Sequence, residues 1–426
     1  MIFIILSLIL CVNASDLVTS LPNVGKLPFT LYSGMLHLPN SQKYVHYMFV
    51  PSWNSPKTDP VLYWTNGGPG CSSLDGFFYE NGPMKFDDNY DRKNLSMHMN
   101  EFAWAKVANV LYFEAPVGVG FSYSNDQNDY NTNDKITAID NHAALGVFFE
   151  KYPSFKANQL FLSGESYGGK YIPELADLVV QDPAYNGRFK GWAVGNPSTD
   201  HEYDTFFEST LPTVHGHALI SDETHDNLIR YCTGSMPNHV ECNKAELKFE
   251  ENMQDIDPYD MYSPCFTQRS GQTVGCVNAR KATELLNMAS VKKALNVDSS
   301  IQWEICSSKL NYHDNVPSVV PIYAKLARSN KYRFLVYSGD ADTVVPYPGT
   351  WKWINNKLAL PMQGKRWQSW KYADPQQGQP QIGGYVTYFG SNFTFTTVKG
   401  AAHMVPQTNP RAALHMIASF LANKQL

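Results

Sequence analysis

Short apolar runs alternate with helix-spaced apolar positions along most of this chain. The runs are rich in β-branched and aromatic residues and are bounded by proline and glycine, as strands are. They lie at 44–50, 61–65, 107–113, 159–162 and 189–194. Apolar residues recur at helical spacing between 137 and 152 and again through Leu175, Leu178 and Val179. This alternation predicts an α/β fold, with a mostly parallel central sheet and helices on both faces.

The pattern changes between about 198 and 316, where polar helical segments replace the strand-like runs. Such runs return at 334–337 and 394–398, and a final amphipathic helix is predicted at 410–421. We therefore expect one sheet domain built from residues 15–197 and 317–426, with residues 198–316 inserted as a helical lid. A stretch rich in proline and glutamine at 374–381 predicts a solvated loop or hairpin.

Residues 1–14 predict a cleaved signal peptide. An apolar stretch covers 1–12, and Val12, Asn13 and Ala14 stand at the expected cleavage positions. About eleven apolar residues are too few to span a bilayer core, so no membrane anchor is expected after cleavage. Passage through the secretory pathway would lead to a lysosome, a vacuole or the extracellular fluid.

Cysteine usage fits that compartment. Without the predicted signal peptide, six cysteines remain, and their spacing is unlike that of paired C-x-x-C zinc sites, so no structural metal is expected. They are Cys71, Cys232, Cys242, Cys265, Cys276 and Cys306. Six cysteines allow 15 pairings, and the sequence alone selects none of them. Asn94 and Asn392 begin N-x-S/T sequons and are predicted glycosylation sites.

The charge balance excludes polyanion binding. The chain has 34 lysines and arginines against 39 aspartates and glutamates, a net charge of -5, without a basic run that would hold nucleic acid. No cofactor is expected either. The segment Gly118-Val119-Gly120 lacks the third glycine and the downstream acid of a dinucleotide-binding loop.

The G-x-S-x-G sequence at 164–168 is the first candidate for chemistry, because it directly follows the apolar run at 159–162. A serine at a sharp strand-to-helix turn has an exposed hydroxyl, and glycines on either side let backbone pass close by. This context predicts that Ser166 is a nucleophile. The alternative is an ordinary surface turn, which the other parts of a hydrolytic site would exclude.

Two later segments offer the acid and the base that a serine nucleophile requires. Asp342 follows the run at 334–337, and His403 lies in a small-residue loop after 394–398. Taken alone, the first is equally compatible with a turn aspartate and the second with a packed histidine. In the chain order Ser, Asp, His they form a candidate triad. The other histidines, including His215 and His217, are expected to be surface groups.

A glycine loop offers donors for a developing oxyanion. The sequence NGGPGC at 66–71 follows the run at 61–65 directly. Backbone amides of such a loop are suitable because no side chain blocks the approach of a substrate. We expect the amides of Gly68 and of Tyr167, the residue after the nucleophile, to be the two donors. On its own such a loop is more often an ordinary turn.

Four long segments together resemble the serine carboxypeptidases. They are WTNGGPGCSS at 64–73, EAPVGVGFSY at 114–123, GESYGG at 164–169 and HMVP at 403–406. The resemblance runs from about residue 27 to the C-terminus. It implies an α/β-hydrolase fold with a helical insertion. It also implies release of one C-terminal residue from peptides and proteins, with Ser166, Asp342 and His403 as the triad.

The same resemblance implies a binding site for the substrate's C-terminal carboxylate, formed by Asn66, the Gly67 amide, Glu80 and Glu165. A carboxylic acid donates to a carboxylate only while it keeps its proton, and burial beside a like charge raises a glutamate's pKa. We therefore expect both glutamates to be protonated and activity to be best in acid. The resemblance to the serine carboxypeptidases also implies that the cysteines pair as Cys71–Cys306, Cys232–Cys242 and Cys265–Cys276.

The leaving-residue pocket is expected to be apolar, with Met404 and Tyr79 on its walls, although Asp75 in the same region would admit a basic residue. Three positions depart from the family pattern: Thr65, Lys170 and Ala402. Two rival functions use the same features, namely acyl transfer from ester donors to alcohols and a protective or scaffold role beside catalysis. A homodimer is compatible with the sequence, which does not determine the oligomeric state.

Overall fold

The computed structural model describes residues 16–22, 24–86, 95–234, 238–263 and 279–426. The predicted signal peptide, the sequon at Asn94, and Cys265 with Cys276 lie outside these residues. Within the described ranges, no helix has the length and apolar character needed to cross a membrane.

The strands of the described residues form one large sheet and two short ladders. In chain order they are β1 Leu17–Leu21, β2 Gly25–His37, β3 Lys43–Val50, β4 Val61–Thr65, β5 Met84–Phe86, β6 Met97–Met99, β7 Asn109–Phe113, β8 Tyr123–Ser124, β9 Asn131–Asn133, β10 Leu160–Glu165, β11 Phe189–Gly195, β12 Asn311–His313, β13 Arg333–Gly339, β14 Met362–Tyr372, β15 Gln381–Phe389 and β16 Phe393–Val398.

The α-helices of the described residues cover both faces of the sheet and fill the segment between β11 and β13. They are α1 Asp134–Lys151, α2 Gly168–Val179, α3 Leu211–Gly216, α4 Asp222–Cys232, α5 His239–Met253, α6 Arg280–Leu286, α7 Ala289–Ala294, α8 Val320–Ala327, α9 Tyr347–Trp353, α10 Val405–Thr408 and α11 Pro410–Leu421. Short 3-10 and π-helical turns connect some of them.

The main sheet has the order β1-β2-β3-β7-β4-β10-β11-β13-β16-β15-β14 within the described chain, and β8 pairs with β3. The six central strands from β7 to β16 are parallel, while the strands at both ends are antiparallel. Parallel strands end at one edge of a sheet, and ligands of open α/β sheets bind outside that edge. The α/β-hydrolase fold expected from the sequence is confirmed.

Two hydrophobic cores lie on opposite faces of this sheet because successive residues of a strand point to opposite sides. Tyr63 and Leu162 belong to the core under α1 and α2, whereas Trp64 and Phe161 belong to the core under α11. All five residues of β4 and all six of β10 are buried. Burial on both faces explains why these strands are continuous apolar runs in the sequence.

The chain leaves the sheet after β11 and returns at β13. The helices in between include a small core of their own, built on Leu211, Val214 and Leu228. Helices α4 and α5 are linked by the disulfide Cys232–Cys242, and Cys306 pairs with Cys71 of the glycine loop. These two pairings are confirmed. The limits of the insertion at 198 and 316 stay a prediction.

The side chain of Asn392 is used in a way that its sequon did not suggest. Its amide nitrogen donates to the carbonyl oxygens of Ala327, at 3.0 Å, and Tyr332, at 2.8 Å. An N-linked sugar would take the place of one of these hydrogens. The glycosylation expected at Asn392 from its sequon stays a prediction.

Candidate active site

Ser166 occupies the turn between β10, which ends at Glu165, and α2, which begins at Gly168. Its φ of +59° lies in the left-handed region, where a residue other than glycine is uncommon and strained. The backbone is held on both sides, because the Ser166 amide donates to Gly195 O at 3.0 Å and the Ser198 amide donates to Ser166 O at 3.0 Å. This is the geometry of a nucleophile elbow.

Asp342 and His403 meet at the same sheet edge. Asp342 follows β13, His403 follows β16, and the imidazole Nδ1 donates to Asp342 Oδ2 at 2.8 Å. Both residues are almost fully buried, at 0% and 2% exposure. The Asp342 carboxylate also accepts from the amides of Val344, at 2.8 Å, and Val345, at 3.2 Å. The carboxylate therefore fixes the tautomer and orientation of the imidazole.

Asn196 holds the aspartate of this pair in place, and the sequence did not predict this role. It directly follows β11, the strand between β10 and β13, and its amide nitrogen donates to Asp342 Oδ2 at 2.7 Å. The Gly339 amide donates back to Asn196 Oδ1 at 3.0 Å. The available signal was its position at the end of a predicted strand, since polar residues there collect at the sheet edge.

His403 Nε2 is buried and makes no hydrogen bond to any described residue. It is the nitrogen that a general base uses, and contacts to a serine nucleophile are often loose before substrate binds. Tyr259, which the sequence reasoning also missed, fixes the loop: its carbonyl accepts from the His403 amide at 2.8 Å. Its ring meets the imidazole edge to face, with 5.1 Å between centroids.

The glycine loop approaches the nucleophile from β4. A Cβ placed on Gly67 would lie 2.3 Å from the Tyr167 amide nitrogen and 2.9 Å from Ser166 Cβ, so only glycine fits. Gly68 has a φ of +114°, which an L-residue rarely adopts. Within the described hydrogen bonding, the amides of Gly67, Gly68 and Tyr167 are not used as donors. The fold thus brings the glycine loop directly against the Tyr167 amide.

Three carboxyl groups lie beside the nucleophile. Asp75, Glu80 and Glu165 each offer a carboxylate oxygen, and these atoms lie within 4.8 Å of one another. Asn66 Nδ2 donates to Glu80 Oε1 at 2.9 Å and to Glu165 Oε1 at 3.0 Å. The Asn66 side-chain amide is fixed in this orientation because its Oδ1 accepts from Trp64 Nε1 at 2.8 Å. The second oxygens, Glu80 Oε2 and Glu165 Oε2, are buried without a described partner.

Burial dominates the protonation of this cluster. It raises the pKa of Glu165 well above its usual range, and the charges of Glu80, Asp75 and Asp342 add to the effect. Burial also raises the pKa of Glu80, and the hydrogen bond from Asn66 partly offsets this increase. Asp75 has its pKa raised to about 8 by burial and by Glu80. The cluster is therefore a set of proton donors in acid.

The same donor set is poorly suited to a metal. A hard cation such as Ca²⁺ or Mg²⁺ prefers ionised carboxylates, whereas these side chains favour their neutral forms. A second metal-like group consists of Cys232, Cys242 and Glu246, but its cysteines are joined to each other in a disulfide. Neither group resembles a catalytic metal centre.

The predicted leaving-residue wall is assembled from two ends of the chain. Tyr79 lies in the turn 76–80, and α10, which follows Met404, packs against that turn. The Tyr79 hydroxyl accepts from the Ala282 amide at 3.1 Å, which leaves its ring against Phe86 at 5.5 Å. Met404 and Tyr79 are both partly exposed, as a pocket wall should be.

The Cys71–Cys306 disulfide fastens the glycine loop to the end of the insertion. The Ser72 amide donates to Ile305 O at 2.7 Å, and the Ser307 amide donates to Gly70 O at 2.9 Å.

Ala402, a departure from the family pattern, is buried and packs against Met261 and Ala341. The methyl group is accommodated by this packing beside His403.

Comparison with known proteins agrees with this geometry. A family model for serine carboxypeptidases matches residues 22–423. The chain is 35% identical to serine carboxypeptidase-like 20 of Arabidopsis thaliana, over 97% of this chain and 94% of that protein. It is 36% identical to the lysosomal protective protein of Mus musculus, over 96% and 94%.

Among solved structures, the fold is similar to that of a prohormone-processing carboxypeptidase from Saccharomyces cerevisiae. The TM-score is 0.72 at 20% identity, and 95% of this chain and 93% of the other are covered. That level of identity supports the fold alone. Because the family model matches nearly the whole sequence, this chain belongs to the serine carboxypeptidase family.

Proposed function

We propose that this protein removes single residues from the C-termini of peptides and proteins through an acyl-enzyme on Ser166. One observation carries the proposal: the buried cluster of Asn66, Glu80 and Glu165 directly adjoins the nucleophile, since Glu165 precedes Ser166 in the chain. Groups that grip a free carboxylate at this place would select the last peptide bond. An endopeptidase would need an open cleft on that side instead.

The chemistry follows from the roles of three side chains. His403 Nε2 takes the proton of the Ser166 hydroxyl as the oxygen attacks the scissile carbonyl carbon, and Asp342 stabilises the imidazolium that forms. The oxyanion receives hydrogen bonds from the amides of Gly68 and Tyr167. The imidazolium then protonates the departing amine, which leaves as a free amino acid. Water, deprotonated by the same histidine, cleaves the ester and restores the serine.

Recognition of the chain end sets the pH dependence. A peptide carboxylate is ionised above about pH 4. It accepts hydrogen bonds from Glu80 and Glu165 only while these keep their protons. Their raised pKa values keep the donors present in acid, and the donors are lost as the pH rises through those values. We therefore propose that peptide binding is strongest in acid and weakens towards alkaline pH.

The leaving residue is proposed to be apolar in acid. Met404 and the ring of Tyr79 provide an apolar wall, and Asp75 is neutral there because its pKa is raised to about 8. Ionisation of Asp75 at higher pH would add a negative charge to the same wall. A C-terminal lysine or arginine would then be released faster, relative to an apolar residue, than it is in acid.

The protein is proposed to enter the secretory pathway, in agreement with the two disulfides of the described residues and with its similarity to the lysosomal protective protein of Mus musculus. A lysosome, a vacuole or the extracellular fluid are all compatible destinations. Assembly as a homodimer stays a proposal, without an observation that favours it.

The test uses an N-blocked dipeptide and its C-terminal amide at pH 5. We expect release of the last residue from the free acid at least about tenfold faster than cleavage of the amide, and no release by Ser166→Ala. Equal cleavage of the two would overturn carboxylate recognition. Acyl transfer to an added alcohol from an ester, without peptide cleavage, would establish the rival acyltransferase function.

A further inference from the structure

We propose that Asp134 is a positioning residue for the oxyanion donor Tyr167, and that it couples this donor to the closing end of the insertion. Asp134 is the first residue of α1 and is 1% exposed. Its hydrogen bonds to the described residues include neither Ser166 nor His403, and it is separated from Tyr167 by 33 positions in the chain. The inference rests on the function proposed above, because it concerns the same site.

The Asp134 carboxylate accepts hydrogen bonds from four donors. Its Oδ1 accepts from the hydroxyls of Tyr167 and Tyr312, each at 2.9 Å. Its Oδ2 accepts from the amides of Asn315, at 2.8 Å, and Val316, at 3.1 Å. Bonds to a charged acceptor are stronger than neutral ones, and removing a buried acceptor leaves its donors unsatisfied. This carboxylate therefore fixes Tyr167 relative to residues 312–316.

Tyr167 has its two functions at opposite ends. Its backbone amide faces the glycine loop, at 2.3 Å from a Cβ placed on Gly67, while its side chain reaches away from the substrate to Asp134. Burial and the Asp134 charge raise the pKa of the Tyr167 phenol, so the hydroxyl remains a donor. A side chain held at its tip restricts the backbone from which it starts. The orientation of the amide thus depends on the distant carboxylate.

The surroundings of Tyr167 reinforce this arrangement. Its ring meets Tyr171 at 5.2 Å and Tyr312 at 5.7 Å, both edge to face. Tyr171 also holds the other side of the oxyanion site, because its hydroxyl accepts from the Gly70 amide at 3.2 Å. Lys170 lies 5.2 Å from the centre of the Tyr167 ring and donates to both oxygens of Asp314 at 2.6 Å. The end of the insertion is thereby fastened beside the oxyanion donor at two points.

A misplaced donor should slow the chemical step rather than substrate binding. The amide of Tyr167 is proposed to contact the oxyanion, which exists only along the reaction path, and not the ground-state carboxylate. Displacements of about 1 Å at a catalytic group cost on the order of 10²-fold in rate. The carboxylate site is built on Asn66, Glu80 and Glu165, and none of these is among the described hydrogen-bond partners of Asp134. The expected signature is a lower kcat with an unchanged KM.

The experiment compares Asp134→Asn, Tyr167→Phe and the double variant with the wild type. Asp140→Asn is the matched control: this residue lies on the same helix, is buried, and pairs with Lys43 at 2.8 Å instead of reaching the site. Two rates are measured, hydrolysis of an N-blocked dipeptide and labelling by a fluorophosphonate, whose phosphonyl oxygen occupies the oxyanion site. Melting temperatures report whether each variant is folded.

We expect Asp134→Asn to lower kcat and the labelling rate about 10- to 100-fold, with KM within about threefold of the wild type. The double variant should be no slower than the slower single variant, because the hydrogen bond between Tyr167 and Asp134 is the contact that both changes alter. Asp140→Asn should stay within about twofold. A folded Asp134→Asn with wild-type kcat and labelling, multiplicative losses in the double variant, or an equal loss in Asp140→Asn would overturn the inference.

If Asp134→Asn does not fold, Tyr167→Phe tests the inference instead, because it removes a single hydroxyl. Wild-type rates of hydrolysis and labelling in that variant would overturn the inference. Failure of the proposed carboxypeptidase function can be distinguished from failure of the Asp134 inference. In that case the wild type is labelled but releases no C-terminal residue, and the labelling rates of the variants still test Asp134.

Discussion

The most specific prediction concerns Glu165→Gln. In the structure Glu165 Oε1 accepts from Asn66, while Oε2 is buried without a described partner and is the atom that would offer its proton to a substrate carboxylate. Glutamine preserves the acceptor and places an N–H₂ group at the second position. Unlike a carboxylic acid, that group donates at every pH. The substitution therefore removes the titration while it keeps the hydrogen bond.

The magnitude follows from the strength of one bond. A hydrogen bond to a charged group contributes about 1.5–3 kcal/mol, which corresponds to about 10- to 150-fold in KM. In the wild type this contribution is complete while Glu165 is protonated. It is lost as the pH rises through the raised pKa, at up to about tenfold per pH unit, because each unit is worth about 1.36 kcal/mol. The direction is fixed by the pKa increase that burial causes.

The assay is kcat/KM for an N-blocked dipeptide from pH 5 to 9, with the C-terminal amide of the same peptide as a second substrate. We expect the ratio of Glu165→Gln to wild type to rise with pH for the free acid and to stay flat for the amide. Glu174→Gln is a suitable control, because Glu174 is also buried but pairs with Lys135. A constant ratio for the free acid across this range would show that Glu165 does not donate a titrating proton to the substrate carboxylate.

Three further predictions concern separate parts of the site. Gly67→Ala should lower kcat at least about 100-fold while the protein stays folded, because its Cβ would collide with the Tyr167 amide; kinetics and a melting curve check this. In the wild type, the preference for C-terminal lysine over leucine should rise between about pH 6.5 and 9 as Asp75 ionises, and Asp75→Asn should abolish this rise. A wild-type preference that does not change with pH would contradict the role of Asp75. Replacing Cys71 and Cys306 together by serine should lower the free energy of unfolding by about 2–5 kcal/mol, measured by denaturant titration, and an unchanged midpoint would exclude a stabilising role.

The central strands were predictable from sequence because they are buried on both faces. The four apolar and aromatic positions of β4, Val61 to Trp64, and the run that begins β10 need no partner to be recognised. The sharp turn at Ser166 was equally visible, since glycines two residues away on either side mark it. Strand β10 extends through Glu165 to the turn itself, which places that glutamate beside the nucleophile.

The edges of the sheet were less predictable. Strand β14 is exposed along most of its length and shows no alternation, so its identity depends on pairing with β15. The predicted hairpin or loop at 374–381 lies at the turn of this β14–β15 pair. The long strand β2 was also missed, because proline and polar residues interrupt it and its register comes from β1 and β3.

Side-chain contacts between distant segments left no signal in the sequence. The bonds from Asn196 to Asp342 and from Tyr167 to Asp134 join residues 146 and 33 positions apart. Each arises only after β10, β11 and β13 align and α1 packs on the sheet. Local patterns and a family resemblance could propose the triad, but the groups that orient it required the fold.

We infer that Ser166 is the nucleophile that forms the acyl-enzyme, at a site where backbone amides stabilise the oxyanion. Its most direct test is labelling of the wild type and Ser166→Ala with a fluorophosphonate at pH 5, followed by mass spectrometry of the digested protein. We expect one phosphonyl adduct per wild-type molecule, on the peptide that contains Ser166, and none on the variant. Equal labelling of the two proteins, or an adduct on another residue, would show that Ser166 is not the nucleophile.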